Sequence, residues 1–413
     1  MNKLIIRAAV LAGATMCTFG ALAQELSFWT WRAEDKAQYQ GFIADFEAKN
    51  PGIKVNFEAY EGTNYFTILS TALTGGTGPD VMMVRPYGGL ETITSGGFLL
   101  PVTAENVPAI ASFPETAVAS ETSRADGVTY AVPFASQSML VLYNKALFAQ
   151  AGVEEPQTWE EFLAISEKLK ASGVMPFANG TATAWQNEST FHALTGSIIG
   201  LDFYDDMISG KADFTDARYV EAITKYNEIS QAYFPEGFVG IDYPSAQQLF
   251  ISGMAAMFAG GSYEAAAFMT QNPDLDIGFF AAPGITADDA KLVSIYYDGG
   301  FAVNKDSKNL EASVKFLNYL ASQEFGQAFA NQLNNVSPIP GVTFESEALK
   351  EVAELNNSAM PYIMFVNFRY ADPSGSVLLQ TELQKISAGQ QTPEGAAKVI
   401  TEGVATWYTP FQK

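Results

Sequence analysis

The sequence predicts an α/β protein of two lobes joined by a hinge. Three observations carry that expectation. The chain has 413 residues, more than one ordinary core accommodates, and its 48% hydrophobic content supplies material for two. Apolar periodicity from Glu25 to Val84 alternates strand, helix, strand, helix, strand, which is the α/β pattern. The stretch from Gly127 to Phe162 reads as a turn, a strand broken by Pro133, a second apolar run and a helix start. Proline cannot donate to a sheet ladder, so Pro133 suits a passage between two sheets better than the middle of one strand.

Leu26-Ser-Phe-Trp-Thr-Trp31 reads as a buried first strand, with Trp29 in the core. Tyr39, Phe42, Ile43 and Phe46 then recur at helical spacing, and Asn50-Pro-Gly52 stops that helix. Ile53, Val55 and Phe57 alternate as a second strand. Tyr65 to Leu73 is helical in pattern, and Gly75-Gly-Thr-Gly-Pro79 ends it. Val81 to Val84 is a short apolar run suited to a buried parallel strand. Thr158 and Glu161 fit a capping box, with Pro156 setting the entry. Residues 158–235 read mostly helical, except for a polar loop expected around Trp185 and Glu188. Gly299 to Lys305 reads as a return crossing, and Pro338 with Pro340 as a third. Thr392 to Trp407 reads as a closing helix.

Lys3 and Arg7, the apolar run Ala8 to Phe19 and the small-x-small site Ala21-Leu-Ala23 make an export signal, too short to span a bilayer. Cleavage after Ala23 and a periplasmic location are expected. Cys17 is the only cysteine and lies inside that signal, so no disulfide is expected in the mature chain. Its preceding Met16 is not the small residue a lipoprotein needs. The net charge of −22 repels nucleic acid and anionic membrane surfaces, so neither is expected as a partner.

Catalytic signatures are sparse. His192 is the sole histidine and reads as structural; no Gly-x-Ser-x-Gly elbow or His-Glu-x-x-His stands in the chain. No metal site or cofactor is implied. The glycines at 75–78 follow a helix rather than a strand and lack the Lys-Ser/Thr of a phosphate loop. With 45 acidic residues some close carboxylate pair is inevitable, so a secreted glycoside hydrolase stays open as an alternative.

Several segments resemble the periplasmic solute-binding proteins of ABC importers, in the extracellular carbohydrate-binding, maltose-binding-protein-like family. They are Phe46 through Val55, Gly76-Thr-Gly-Pro-Asp-Val81, Gly127 through Pro133, Leu142-Tyr-Asn-Lys145, Pro156 through Phe162 and Phe250 through Tyr263. In the last, Tyr263 stands where the family pattern has Trp. The resemblance spans nearly the whole mature chain. It implies a carbohydrate ligand, mono- to oligosaccharide, bound between lobes, delivery to the membrane permease subunits of an importer, a monomer, and no catalysis. The implied first lobe comprises residues 24–133 and 300–340, and the second 134–299 and 341–413. A binding protein for a non-sugar solute is a further alternative.

A sugar cleft needs aromatic faces for the apolar side of a ring and planar polar groups for its hydroxyls. Such groups are expected at strand ends and crossings, where an open α/β sheet offers its ligand crevice. The candidates are Trp31, Arg32 and Glu34 after the first strand, Thr63 and Tyr65 after the second, and Arg85 after the third. Gln137 follows the first crossing, Trp185 lies in the polar loop, and Asp298 and Gly299 precede the return crossing. The resemblance adds Gly261, Ser262 and Tyr263, and places Arg369 in a segment that faces the cleft in the family. Asp80 reads as a turn or capping residue, and Trp159 as helix packing.

Overall fold

The computed structural model describes residues 24–412. The export signal expected over residues 1–23 lies outside them. In chain order the strands are β1 (Gln24–Thr30), β2 (Ile53–Ala59), β3 (Val81–Val84), β4 (Val132–Pro133), β5 (Ser136–Asn144) and β6 (Met175–Phe177). They continue with β7 (Ala255–Gly261), β8 (Ile277–Phe280), β9 (Val293–Tyr297), β10 (Gly300–Val303) and β11 (Ala359–Pro361).

Two separate sheets result. The first has the order β2-β1-β3-β10-β4, with β1 parallel to β2 and β3, and β10 antiparallel to β3 and β4. The second has the order β11-β9-β5-β7-β6, and β8 also pairs with β5. The central strand β3, Val-Met-Met-Val, is buried throughout, whereas edge strand β2 buries Ile53 and Val55 and exposes Lys54, Asn56 and Glu58. A strand covered on both faces has no use for polar residues, and an edge strand keeps them on its wet face. Asp80 ties this sheet together. Its carboxylate accepts from the backbone N–H and hydroxyl of Ser27, both at 2.8 Å, and from Ser307 at 2.6 Å.

Each sheet has its own core. Phe28, Phe42, Phe46, Phe301, Phe316 and Phe325 fill the first. The helices Leu310–Leu320 and Gln323–Leu333 belong there, with Phe316 edge-on to Phe28 at 5.4 Å. The second sheet packs Phe162, Phe177, Phe191, Tyr219 and Tyr226 on one face and Phe250, Phe258 and Phe268 on the other. The helix at Trp159–Ala171 starts as its sequence predicts: Thr158 accepts from the Glu161 N–H at 3.2 Å. Glu161 reaches back to the N–H of Gln157 at 2.7 Å, one residue beyond the usual box.

Three segments pass between the sheets side by side. The Phe134 N–H donates to Gly299 carbonyl at 3.1 Å, Asp298 to Ala135 at 3.0 Å, and Ser136 to Val336 at 2.8 Å. Pro133 ends the two-residue β4 against β10, where its missing donor costs nothing to the ladder. Gly299 is required for a different reason. A β-carbon there would lie 2.6 Å from both the Trp31 ring and the Val84 carbonyl oxygen. Gly299→Ala is therefore expected to overpack this junction and lower stability by roughly 1–3 kcal/mol. Chemical denaturation checks it, and an unchanged midpoint would show that the crossings can shift to make room.

Candidate functional site

The ends of β1, β3 and β9 open onto a cleft of about 950 Å³ between the sheets. Its two walls differ in chemistry. The wall below the first sheet is charged, with Arg32, Glu34 and Asp35 in the turn after β1 and Arg85 directly after β3. The wall below the second sheet carries the aromatic rings, supplied by Trp185, Tyr243, Tyr263, Tyr296, Tyr362 and Phe365.

Local structure explains the charged wall. Thr30, the buried last residue of β1, accepts the Arg32 N–H at 3.0 Å and so fixes where the chain leaves the sheet. The Arg32 guanidinium bonds the Asp35 carboxylate and lies 3.7 Å from Asp298 and 3.8 Å from Glu34. Burial alone pulls its pKa down, but Asp35 and the other acids outweigh that and hold it above the ordinary arginine value. Asp298 shows the complementary balance: burial raises its pKa, and Arg32 and Arg85 offset this only in part. Arg85 lies flat over the Phe66 ring at 3.9 Å.

Helical spacing builds the aromatic wall. Tyr362, Phe365 and Arg369 stand three and four residues apart around the short helix Ile363–Asn367. Arg369 stacks on Phe365 at 4.0 Å, donates its Nε to Ser376 at 2.7 Å and approaches the buried Glu188 at 3.6 Å. Ser376 in turn donates to Glu188 at 2.8 Å. Trp185, 42% exposed, sets its edge against Tyr243 at 4.7 Å. Tyr243 and Gln247, one turn apart, donate to opposite oxygens of Glu264 at 2.7 and 2.8 Å. Burial still pushes the Glu264 carboxyl up to about 7. His192, behind Tyr362 at 4.2 Å, is pushed down to about 3 by burial and then by the Arg369 charge, so it is neutral in ordinary buffers. Among the described residues no three His, Cys, Asp or Glu side chains are placed to hold a metal ion.

Seven of the residues singled out in the sequence meet on the cleft lining: Arg32, Glu34, Arg85, Trp185, Tyr263, Asp298 and Arg369. Others lie elsewhere, and two expectations about local structure need correction. Trp185 and Glu188 sit in the helix Ala184–Ile208, not in a loop; its polar residues 186–190 are buried by neighbouring helices. Trp31 does not face the cleft as a platform but packs among Tyr65, Phe66 and Phe134. Tyr65 is fully buried and donates to the Met83 carbonyl at 2.8 Å. Gln137 and Ser262 are buried in a network with Asn335, at 2.9 Å from Gln137 Nε2, that stitches the crossings. Gly261 lies under the Tyr263 ring and Gly299 under Trp31. Thr63 falls within the helix Gly62–Thr74, and its side chain lies outside the described residues.

The cleft also holds residues that sequence reasoning missed. Tyr296 lies two residues before Asp298 at the end of β9, and Phe365 and Tyr362 lie four and seven residues before Arg369, which follows the helix Ile363–Asn367. Steps of two, four and seven residues from one already chosen would have found all three.

Glu264 generates a pH prediction. A carboxyl whose folded pKa exceeds its ordinary value of 4.5 binds more protons folded than unfolded between the two values. Its contribution is therefore fully present below about pH 4.5 and is lost as pH rises through about 7. Glu264→Gln keeps an acceptor for Tyr243 and should flatten the fall in stability over that window by on the order of 1–3 kcal/mol. Melting curves across that pH range test it; parallel wild-type and variant profiles would assign the slope to another group.

Comparisons with known proteins agree with this architecture. The model of the bacterial extracellular solute-binding protein family matches residues 30–327. A multiple sugar-binding protein of Streptococcus mutans is 24% identical over 77% of this chain and 76% of its own length. A diacetylchitobiose-binding protein of Streptomyces coelicolor is 28% identical over 77% of this chain and 74% of its own. Among solved structures, a chitin oligosaccharide binding protein superposes with a TM-score of 0.76 at 22% identity, covering 93% of this chain and 99% of that one. The GacH receptor of Streptomyces glaucescens superposes with a TM-score of 0.75 at 20% identity, covering 95% and 99%. With two sheets, three crossings and a cleft between them, and with the family model matching across both, the chain belongs to the bacterial extracellular solute-binding protein family.

Proposed function

We propose that this protein captures a carbohydrate, mono- to oligosaccharide, between its lobes and delivers it to the permease subunits of an ABC importer. The observation that carries the reading is the pairing of an aromatic wall with a wall of planar charged groups across one cleft. Pyranose rings present apolar C–H faces to the first and hydroxyls to the second. The relatives that include a multiple sugar-binding and a diacetylchitobiose-binding protein support the same ligand class. In this reading the lobes divide at 133/134, 299/300 and 340/341. The chain acts as a periplasmic monomer, cleaved after Ala23, and performs no covalent chemistry. Among the described residues no helix is long and apolar enough to cross a membrane.

A thermal-shift screen of the mature protein against a sugar library tests the ligand class, since a specific ligand raises the melting temperature by an amount that grows with the logarithm of its concentration above Kd. New reducing ends from incubated oligosaccharides would instead identify a hydrolase.

Trp185 is the sharpest site to vary, because it is 42% exposed and its loss leaves the core intact. Trp185→Ala should weaken sugar binding by roughly 1–3 kcal/mol with folding unchanged. Tyr263→Ala should weaken it comparably but also lower stability, since that ring packs on the second core. Normal affinity in the tryptophan variant would remove the aromatic platform from the reading.

Ligand contacts made from both walls favour a closed arrangement of the lobes, and an importer needs that difference to tell loaded from empty protein. Small-angle scattering should give a smaller radius of gyration with the cognate sugar. An unchanged radius at saturation would rule out closure.

A further inference from the structure

Four of the five arginines among the described residues are engaged. Arg32 faces Asp35 and Asp298, Arg218 bonds Asp206 and Asp216, and Arg369 holds Ser376 beside Glu188. Arg124 donates to the Val366 carbonyl at 3.2 Å and to Asn367 at 3.3 Å. Among the described residues Arg85 makes no hydrogen bond and no ion pair, and its guanidinium lies over the Phe66 ring. It is exposed, and it faces the cleft. Stacking fixes the plane of a guanidinium and leaves its N–H edge directed off the ring, unused.

The fold sets a second stacked guanidinium beside it. The turn that carries Arg85 continues to Gly88, which touches the Arg369 segment so closely that a β-carbon would fall 2.1 Å from the Arg369 carbonyl oxygen. Arg85 and Arg369 therefore line the same cleft from opposite lobes, each over a phenylalanine ring at 3.9 and 4.0 Å. Desolvation, and then the Arg369 charge, lower the Arg85 pKa, and Asp298 offsets them only in part. The acids nearby are only partly spent on these two cations: Asp298 and Asp35 face Arg32, Asp298 also acting on Arg85; Glu188, 3.6 Å from Arg369, accepts from Ser376 and Gln380; and Glu264 accepts from Tyr243 and Gln247. Glu34 is 64% exposed and lies 3.8 Å from Arg32.

Resting on the carbohydrate reading above, we propose that the ligand is an acidic sugar whose carboxylate sits between Arg85 and Arg369. Two adjacent cations repel each other until an anion separates them, so an anionic ligand gains more from closure of the lobes than a neutral one. A planar carboxylate matches the paired N–H edge of a guanidinium, and the ring that bears it can lie on the aromatic wall. Phosphate and sulfate esters are the other sources of a sugar-borne anion.

Isothermal titration of the mature protein with galacturonate, glucuronate and mannuronate oligosaccharides, their neutral methyl esters and a hexose phosphate tests this. One uronate should bind at least about tenfold more tightly than its own methyl ester, the lower end of the range for a hydrogen bond to a charged group. Arg85→Gln should weaken that uronate by roughly 10- to 150-fold more than it weakens the ester, with an unaltered melting temperature. Arg85→Lys, which keeps the charge but loses the fork, should fall between. Binding of neutral sugars but no uronate, equal losses for acid and ester, or preference for the hexose phosphate would each overturn the assignment and leave the carbohydrate reading in place. If no carbohydrate of any kind binds, that reading fails as well.

Discussion

The backbone hydrogen bonds among the three crossing segments are the constraint on which the rest of the molecule depends. They hold 132–136, 297–300 and 335–337 as one narrow ribbon, and both sheets grow from its ends. Because β4 and β10 finish the first sheet while β5 and β9 enter the second, any side chain at the ribbon belongs to both lobes at once. This is why small and polar residues accumulate there. Gly299 yields its space to the Trp31 ring, and Gln137, Ser262 and Asn335 satisfy one another in a region with little water. Glu121 makes the same point in reverse. It is buried beneath Gly300 with neither carboxylate oxygen hydrogen-bonded, and burial, followed by Asp298, holds its pKa well above the ordinary range. A neutral carboxyl is the form such a position tolerates.

Much of this architecture was legible in the sequence, because its strongest signals are local. Alternation in Ile53, Val55 and Phe57, the stop at Asn50-Pro-Gly52 and the cap at Thr158 each depend on a handful of neighbours, and the structure has the corresponding elements there. Pro133 marked a crossing because a missing N–H is a property of one residue. The site was legible in part for a similar reason. Arg32, Arg85 and Asp298 lie at strand ends, and strand ends meet the crevice in any open α/β sheet.

What remained illegible depends on partners far away in the chain. Trp31 and Arg32 are adjacent, yet one packs against Phe134 and the other faces the cleft; only the distant β4–β5 junction decides which. The run Gln186-Asn-Glu-Ser-Thr190 is polar enough to read as a loop, but it is the start of a buried helix. Glu188 there is sheltered by Ser376 and Gln380, almost two hundred residues later in the chain, so no window of sequence shows that its charge is provided for. Tertiary hydrogen bonding overrode local composition.

The unequal division of chemistry between the walls has a consequence for the order of events in time. Nearly all the ring surface lining the cleft lies on the second lobe, where Tyr87 of the first sets its edge against Phe365 at 5.9 Å. A ligand can therefore lodge on that lobe alone, held by contacts that do not require the lobes to meet. On the proposed closure, the charged lobe would arrive afterwards and meet a ligand already oriented. Arrival rate would then be governed by one half of the molecule and residence time by the other, so that substitutions at Trp185 and at Arg32 would leave separate marks on association and dissociation.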